Sequence, residues 1–212
     1  MRVFIGMECS GRVREAFRSR GHDAWSCDFE PPEDGSSYHI QGNVFDHLNE
    51  SWDVGIFHPT CTYLTCSAEW AYGDGPYHQK VRSETLVGQA RREARLEAVE
   101  DVKRLWAAPI PSKCIENPVG VLSRVWRKPS QIIQPYQFGD DASKATCLWL
   151  DGLPLLIPTH QIAPRIVGDR QRWGNQTDSG QNRLSPGPDR WKERSRTYQG
   201  IAAAMAEQWS AS

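Results

Sequence analysis

Residues 53–65 read DVGIFHPTCTYLT, and this stretch decides how the rest of the chain is arranged. The run from Val54 to Phe57 is short and apolar, which is typical of a buried strand in a parallel sheet. A loop containing Pro59 follows and carries the thiol of Cys61. In an open α/β sheet, ligands collect beyond the carboxyl ends of the strands, so Cys61 is predicted to meet a substrate. The alternative is a buried structural cysteine.

A second apolar strand that ends in a polar side chain lies further along the chain. Residues 112–116 are predicted as a strand, and the strand ends in the carboxylate of Glu116, followed by Asn117. The carboxyl ends of parallel strands meet at one edge of a sheet. Cys61 and Glu116 are therefore predicted to face one substrate.

The amino-terminal part of the chain has the order of a nucleotide-binding βαβ unit. Residues 2–6 are predicted as a strand, residues 12–20 as a helix with Ser10 as its N-cap, and residues 24–27 as a second strand that leads into Asp28. The turn after the first strand does not match the G-x-G-x-x-G pattern, so the order of elements carries this prediction.

The remaining regular elements complete an α/β sheet. Residues 87–106 are predicted as an amphipathic helix, residues 132–137 and 146–150 as a strand pair, and residues 198–209 as a final helix. The fold class is therefore α/β, with a mostly parallel sheet flanked by helices. The apolar residues expected to face the sheet from the long helix are Leu96, Val99, Val102, Leu105 and Trp106.

Length and composition indicate one soluble domain over residues 1–212. A chain of this size buries about 70% of its unfolded surface, which is enough for a complete core. Its net charge is −1, its apolar fraction is 39%, and its apolar runs are too short for a membrane span; no signal peptide is expected. We therefore expect a cytoplasmic protein without a membrane partner. Its six cysteines are expected to be reduced thiols.

At residues 53–65 and 116–118 the sequence resembles the cytosine-5 DNA methyltransferases. The nucleophile loop of that family reads Asp, apolar residues, then Gly-Pro-Pro-Cys-Gln, and this chain has His58, Thr60 and Thr62 in place of the Gly, the second Pro and the Gln. The family's Glu-Asn-Val is similar to Glu116-Asn117-Pro118. The resemblance implies a Rossmann-like, S-adenosylmethionine-dependent methyltransferase fold, in which Cys61 is the nucleophile.

The same resemblance implies a binding site for S-adenosyl-L-methionine along the first three strands. The first strand of the family ends in Phe-x-Gly, the acid after the second strand holds the ribose hydroxyls, and the third element approaches the adenine amino group. No metal is implied. The residues implied to bind the cofactor are Phe4, Gly6, Met7, Glu8, Cys9, Ser10, Asp28, Asn43, Val44 and Pro59.

DNA, duplex or single-stranded, is the partner that the resemblance implies. Arginines that contact substrate in the family are missing here, and Lys144 is the nearest cation, so it joins Cys61 and Glu116 as a catalytic candidate. Residues 154–194 are predicted as a small, loop-rich insertion that contacts the substrate. From Arg165 to Arg196 there are eight basic and four acidic residues, with Trp173 and Trp191 between them, which suits a phosphate backbone or a solvated polar loop. The predicted substrate contacts are Asn117, Arg170, Arg172 and Arg183.

The resemblance implies methyl transfer to carbon 5 of cytosine in DNA through a covalent Cys61 adduct, with Glu116 engaging ring nitrogen 3. Because the insertion is short, low or short sequence specificity is expected, as in small phage-type members acting in a host cytoplasm. Alternatives are the same thiol chemistry on a free pyrimidine nucleotide or with a modified donor, and an inactive nucleic-acid-binding module. Cys66 is a rival nucleophile, Cys61 and Cys66 with His58 or His78 are a zinc alternative, and Cys61 with His58 is a protease alternative.

Overall fold

A seven-stranded sheet in the order β3-β2-β1-β4-β5-β7-β6 forms the centre of the molecule. The computed structural model describes residues 1–79, 81, 84–185, 187 and 190–210. The first five strands are mutually parallel, and β7 runs antiparallel to both of its neighbours. The strands are β1 (Arg2–Gly6), β2 (Asp23–Asp28), β3 (His39–Gln41), β4 (Val54–Phe57), β5 (Ser112–Pro118), β6 (Gln131–Ile133) and β7 (Thr146–Asp151).

Helices cover both faces of this sheet. The helices are α1 (Arg12–Arg18), α2 (Gly88–Trp106), α3 (Leu122–Val125), α4 (Arg190–Ser195) and α5 (Gln199–Trp209). One apolar cluster joins α1 and α5 to the sheet through residues such as Phe17 and Met205. The other joins α2 to the opposite face through Val99, Val102 and Leu105. The predicted α/β class, a mostly parallel sheet flanked by helices, is confirmed.

Strand β4 lies at the middle of the sheet and is buried along its whole length. It pairs with β1 on one side and β5 on the other, and all three run in the same direction. An apolar strand buried on both faces is what parallel packing between two helical layers requires. The loop of Cys61 therefore leaves the sheet at its centre.

Several local predictions are corrected by the structure. Helix α1 ends at Arg18, and its N-cap is Gly11 in the left-handed region (φ 70°) rather than Ser10. Leu96 of α2 is 66% exposed, because the helix turns this position towards solvent. The strand predicted at residues 132–137 is only three residues long, since Pro135 begins a short 3₁₀ turn.

The region 154–194 contains a two-stranded hairpin that the sequence analysis missed, formed by β8 (Arg165–Val167) and β9 (Arg170–Arg172). Trp173 follows the hairpin and stacks on Tyr136, with ring centroids 4.3 Å apart. Trp173 is therefore buried against the protein and is not free to stack on a base. The side chain of Trp191 lies outside the part of the chain that the structure describes.

All six cysteines are free thiols. Across the described residues there is no helix that combines the length and apolar character needed to cross a membrane.

Candidate active site

A cavity of about 400 Å³ lies beyond the carboxyl ends of the parallel strands. The loops after β1, β2, β3 and β4 and the last residues of β5 contribute to its wall, together with Lys144 and the segment 194–197. Its volume falls within the range of about 300–1,000 Å³ that small-molecule sites occupy. The residues predicted from the sequence that line it are Met7, Glu8, Cys9, Ser10, Asp28, Val44, Pro59, Cys61, Glu116, Asn117 and Lys144.

Three residues implied to bind the cofactor do not line this cavity. Phe4 is fully buried, and its ring stacks on Trp52 at 4.9 Å between centroids. Gly6 allows close packing, because a Cβ there would lie 2.6 Å from the side chains of Phe57 and Val44. Asn43 uses its side-chain oxygen to accept a hydrogen bond from the backbone of the following turn.

The three arginines predicted to contact substrate also lie outside the cavity. Arg170 and Arg172 belong to β9, and Arg172 donates to the carbonyl oxygen of Asp178. Arg183 donates to the carbonyl oxygen of Gln176 and lines a smaller neighbouring cavity. The predicted catalytic residues thus line one cavity, whereas Arg170 and Arg172 on the hairpin and Arg183 beyond it lie outside that cavity.

His58 and Glu116 form the central pair of the cavity. In the β4–β5 register Phe57 lies opposite Ile115, so the next residue of each strand lies beside the other. Nδ1 of His58 is 3.0 Å from Oε2 of Glu116, and the two side chains are 9% and 10% exposed. From the sequence, His58 was a candidate only as a metal ligand or a protease base. The feature of the sequence that marks His58 as a site residue is its position directly after an apolar strand. The same feature identified Glu116.

The His58–Glu116 contact decides the charge of both groups. Burial alone would lower the pKa of His58, but the hydrogen bond and the charge of Glu116, with a contribution from Glu8, raise it above its ordinary value. Burial alone would raise the pKa of Glu116, but His58 and then Lys144 lower it. Both shifts favour an imidazolium paired with a carboxylate.

Cys61 lies in the turn that follows β4, where its carbonyl oxygen accepts from the backbone of Leu64 and Thr65. Burial raises the pKa of the Cys61 thiol. The charge of Lys144 lowers this pKa, but by a smaller amount, so the net shift is upward. Glu116 raises it further. The thiol is therefore protonated near neutral pH, and Lys144 is the group whose charge favours the thiolate most.

The Cys61 loop is fixed by contacts from α2 and β5. Arg95 donates through Nε to the carbonyl oxygen of Tyr63 at 2.9 Å and forms an ion pair with Glu69 at 2.7 Å. Asn117 donates to the carbonyl oxygen of Pro59 at 2.7 Å. The sequence pattern of α2 indicates only packing on the sheet, yet this helix also braces the loop of the candidate nucleophile.

Acidic groups occupy the end of the cavity near β1 and β2. Oε1 of Glu8 accepts from the Ser10 hydroxyl at 3.0 Å and from the backbone of Val13 at 2.9 Å, while the Ser10 hydroxyl accepts from the backbone of Arg12 at 3.4 Å, so both side chains satisfy the start of α1. Oε2 of Glu8 is buried and has no hydrogen-bond partner among the described residues. Asp28 lies at the end of β2 and accepts from the backbone of Glu30. This end of the cavity suits a ligand that carries donors or a positive charge.

Lys144 reaches the cavity from the segment before β7. Its Nζ donates to the carbonyl oxygen of Arg194 at 2.9 Å, which ties it to α4. The residue before it, Ser143, exchanges two hydrogen bonds with Asn175. The 154–194 region thus holds the segment that carries Lys144.

The other sequence candidates fare differently. Cys66 is exposed and does not line the cavity. Within the described ranges no three His, Cys, Asp or Glu side chains are grouped as metal ligands, so nothing there favours the zinc alternative. Among the described residues His58 contacts Glu116 through Nδ1, and its Nε2 has no hydrogen-bond partner, so no His58–Cys61 hydrogen bond supports the protease alternative.

The chain matches no protein-family model. No curated protein is similar to it. Among solved structures it is similar to an E. coli protein described as a "putative DNA modification methyltransferase encoded within prophage", at 12% identity and a TM-score of 0.46. The match covers 80% of this chain and 53% of that one, so this chain spans about half the length of that protein. A likeness at this level does not define a function.

Proposed function

We propose that the protein transfers a methyl group from S-adenosyl-L-methionine to carbon 5 of cytosine in DNA. The observation that carries the proposal is the meeting of Cys61, Glu116 and Lys144 around one cavity, at the ends of adjacent strands and near β7. A thiol, a carboxyl group and a cation are the set needed to add a sulfur to a pyrimidine ring and stabilise the charge that results. The resemblance at residues 53–65 and 116–118 supplies the reaction.

The residues at the β1 and β2 end fit the proposed cofactor. The unpartnered oxygen of Glu8 can accept from the ammonium group of the methionine part. Asp28, which ends β2, can accept from vicinal ribose hydroxyls. When bound, the cofactor supplies an electrophilic methyl group on a sulfonium.

In the proposed mechanism Cys61 forms a bond from sulfur to carbon 6 of the ring. Glu116 engages nitrogen 3 and neutralises the negative charge that develops there when the ring double bonds shift. Carbon 5 then becomes nucleophilic and accepts the methyl group. The carbon 5 proton is then lost to water, its bonding pair forms the carbon 5–carbon 6 double bond, and the Cys61 sulfur leaves as a thiolate, which restores the aromatic ring. Lys144 stabilises the thiolate at the start and at the end of this cycle.

DNA would lie across the hairpin that carries Arg170 and Arg172 and enter the cavity with one base turned out. We propose that residues 1–212 act as one domain and that residues 154–194 contact the nucleic acid. A region of this size has few groups to read base edges, so short or low sequence specificity follows. Binding through phosphates predicts an affinity that falls steeply with salt.

A free pyrimidine nucleotide is the second candidate substrate. It is favoured by one observation, that Arg170, Arg172 and Arg183 all lie outside the main cavity. Salt separates the two, because a nucleotide lacks the many phosphates whose neutralisation makes DNA binding steeply salt-dependent. An inactive binding module is the third candidate, and the pairing of Glu116 with His58 in the cavity argues against it.

The experiment is mass spectrometry of the protein after incubation with S-adenosyl-L-methionine and an oligonucleotide that contains 5-fluorocytosine. Fluorine cannot leave as a proton does, so a turnover attempt leaves the base attached to the enzyme. We expect an adduct on Cys61 that is absent in Cys61→Ala, while Cys66→Ala, which removes the exposed neighbouring thiol, keeps it. No adduct in protein that binds the cofactor would refute the DNA reaction.

A further inference from the structure

His58 occupies the position where the cytosine-5 methyltransferase loop has a glycine, and the proposed mechanism gives it no role. The imidazole is nevertheless in direct contact with the proposed acid, with Nδ1 3.0 Å from Oε2 of Glu116. A carboxylate can only accept a hydrogen bond, so Nδ1 carries the shared proton. A proton is therefore stored next to the carboxyl group that must engage nitrogen 3.

We propose that His58 is a positioning residue that stores the proton for nitrogen 3 and passes it through Glu116 as the Cys61 thiolate adds to the ring. This inference rests on the proposed function, since it concerns the same base and the same nucleophile. It differs from the family pattern, in which a lone glutamate serves this step.

The step balances in atoms and electrons. The Cys61 thiol first loses its proton to water, and the thiolate then forms the bond from sulfur to carbon 6. The carbon 5–carbon 6 π pair moves to carbon 4–carbon 5, and the carbon 4–nitrogen 3 π pair moves onto nitrogen 3. Nitrogen 3 takes a proton from Glu116, and Glu116 takes one from Nδ1 of His58, which becomes neutral. When the ring is restored, the proton returns along the same path.

The charges around the pair suit a stored proton. The groups that face His58 are the carboxylates of Glu116 and Glu8 and the ammonium of Lys144, so negative charge is in excess. His58 and Lys144 are the cations that face Glu116. The side chains of the pair are 9% and 10% exposed, which limits loss of the proton to water. Nε2 of His58 is buried and has no partner within the described part of the chain, so Glu116 is the one acceptor for the proton that moves.

The relay predicts a particular shape for the pH dependence of sulfur addition. The rate depends on the product of the thiolate fraction and the fraction of pairs that still hold the proton. Below the pKa of the pair the rate rises about tenfold per pH unit, because only the thiolate fraction changes. Above it the two fractions change in opposite directions, and the rate is level until the pKa of Cys61. The pH at which the rise stops therefore reports the group that stores the proton.

The experiment measures adduct formation against pH without cofactor, using an oligonucleotide in which 2-pyrimidinone replaces cytosine. This ring keeps nitrogen 3 as an acceptor and adds a thiolate without methyl transfer. In the wild type we expect the rise to stop above pH 6.5, the ordinary histidine value. In His58→Gln it should stop at a different pH, where Glu116 alone titrates, and the level rate should change about tenfold for each unit of that shift. His47→Gln is the matched control, because His47 pairs with Glu50 at 2.7 Å outside the cavity.

Two results overturn the relay while leaving the proposed function intact. One is a wild-type rate that becomes level near pH 4 to 5, the ordinary pKa range of a lone glutamate. This result comes from the wild type alone and does not depend on a variant being folded. The other is a His58→Gln protein that is slower but stops rising at the wild-type pH, which is the signature of a merely structural role. No adduct in the wild type at any pH, by contrast, overturns the thiol addition itself and the relay with it.

Discussion

The His58–Glu116 pair should stabilise the folded protein over a defined range of pH. The two groups are 3.0 Å apart, and both are about nine-tenths buried. Removing one member of such a pair leaves a buried charge without its partner, which costs about 3–5 kcal/mol. We therefore expect Glu116→Gln and His58→Gln each to lower the free energy of unfolding by an amount of this order at pH 6. The double variant should lose less than the sum, with a coupling of about 1–3 kcal/mol.

The pH range follows from the direction of each shift. The pKa of His58 is raised in the folded state, so its contribution is complete below 6.5 and is lost as the pH rises through the folded pKa. The pKa of Glu116 is lowered, so its contribution is present above 4.5 and is lost as the pH falls through the folded pKa. The coupling should be largest between these two ordinary values and should decline towards pH 9.

The assay is urea unfolding of the wild type, the two single variants and the double variant at pH 6 and pH 9. His22 shifts in the opposite direction, because burial lowers its pKa, so its contribution grows as pH rises. The double-mutant cycle cancels this background, since His22 is present in all four proteins. A coupling of the same size at pH 6 and pH 9 would show that the pair is not an ion pair and would refute the reasoning.

Three further predictions concern the thiol and its loop. The rate of alkylation of Cys61 by iodoacetamide, measured by peptide mass spectrometry, should rise about tenfold per pH unit through neutral pH. Lys144→Gln should lower this rate, because the charge of Lys144 favours the thiolate. Equal rates in the two proteins would show that Lys144 does not act on Cys61. Gly120→Ala should cost about 1–3 kcal/mol in urea unfolding and most of the adduct yield, since its Cβ would lie 2.0 Å from the carbonyl oxygen of Leu64. Arg95→Gln should reduce the adduct yield while α2 stays folded by circular dichroism, because two loop carbonyl oxygens lose their donor. Unchanged adduct yields in Gly120→Ala and Arg95→Gln would show that the loop of Cys61 keeps its conformation independently of these two residues.

The sheet and the two catalytic candidates could be predicted because their signals are local. A short apolar run that ends in a polar residue identifies a buried strand and its functional end, and this applied to Cys61 and Glu116 alike. The order of strands along the chain then brought both to one edge. The neighbouring position of His58 follows from the β4–β5 register, which hydropathy along one strand does not determine.

Other features could not be predicted because they depend on which face of an element meets which neighbour. Leu96 and Arg91 both lie on α2, yet the apolar side chain is exposed while the arginine is 6% exposed. Arg91 is buried because its guanidinium lies over the rings of Tyr63 and Tyr72, and those rings come from the loop of Cys61. A pattern of apolar positions assigns charged residues to solvent, so it misses a cation that packs on aromatic rings.

Under the proposed function, these contacts take over one task of the arginines that the cytosine-5 methyltransferase pattern has and this chain lacks. In that pattern the same cations brace the nucleophile loop and touch the substrate. Here the bracing belongs to Arg95 of α2 and to Asn117 of β5, which hold the carbonyl oxygens of the loop. Lys144 is held instead by Arg194, and it acts on Cys61 and Glu116 through its charge. Because the two tasks fall on different residues, a loss of bracing and a loss of charge should have separable effects on the rate of sulfur addition.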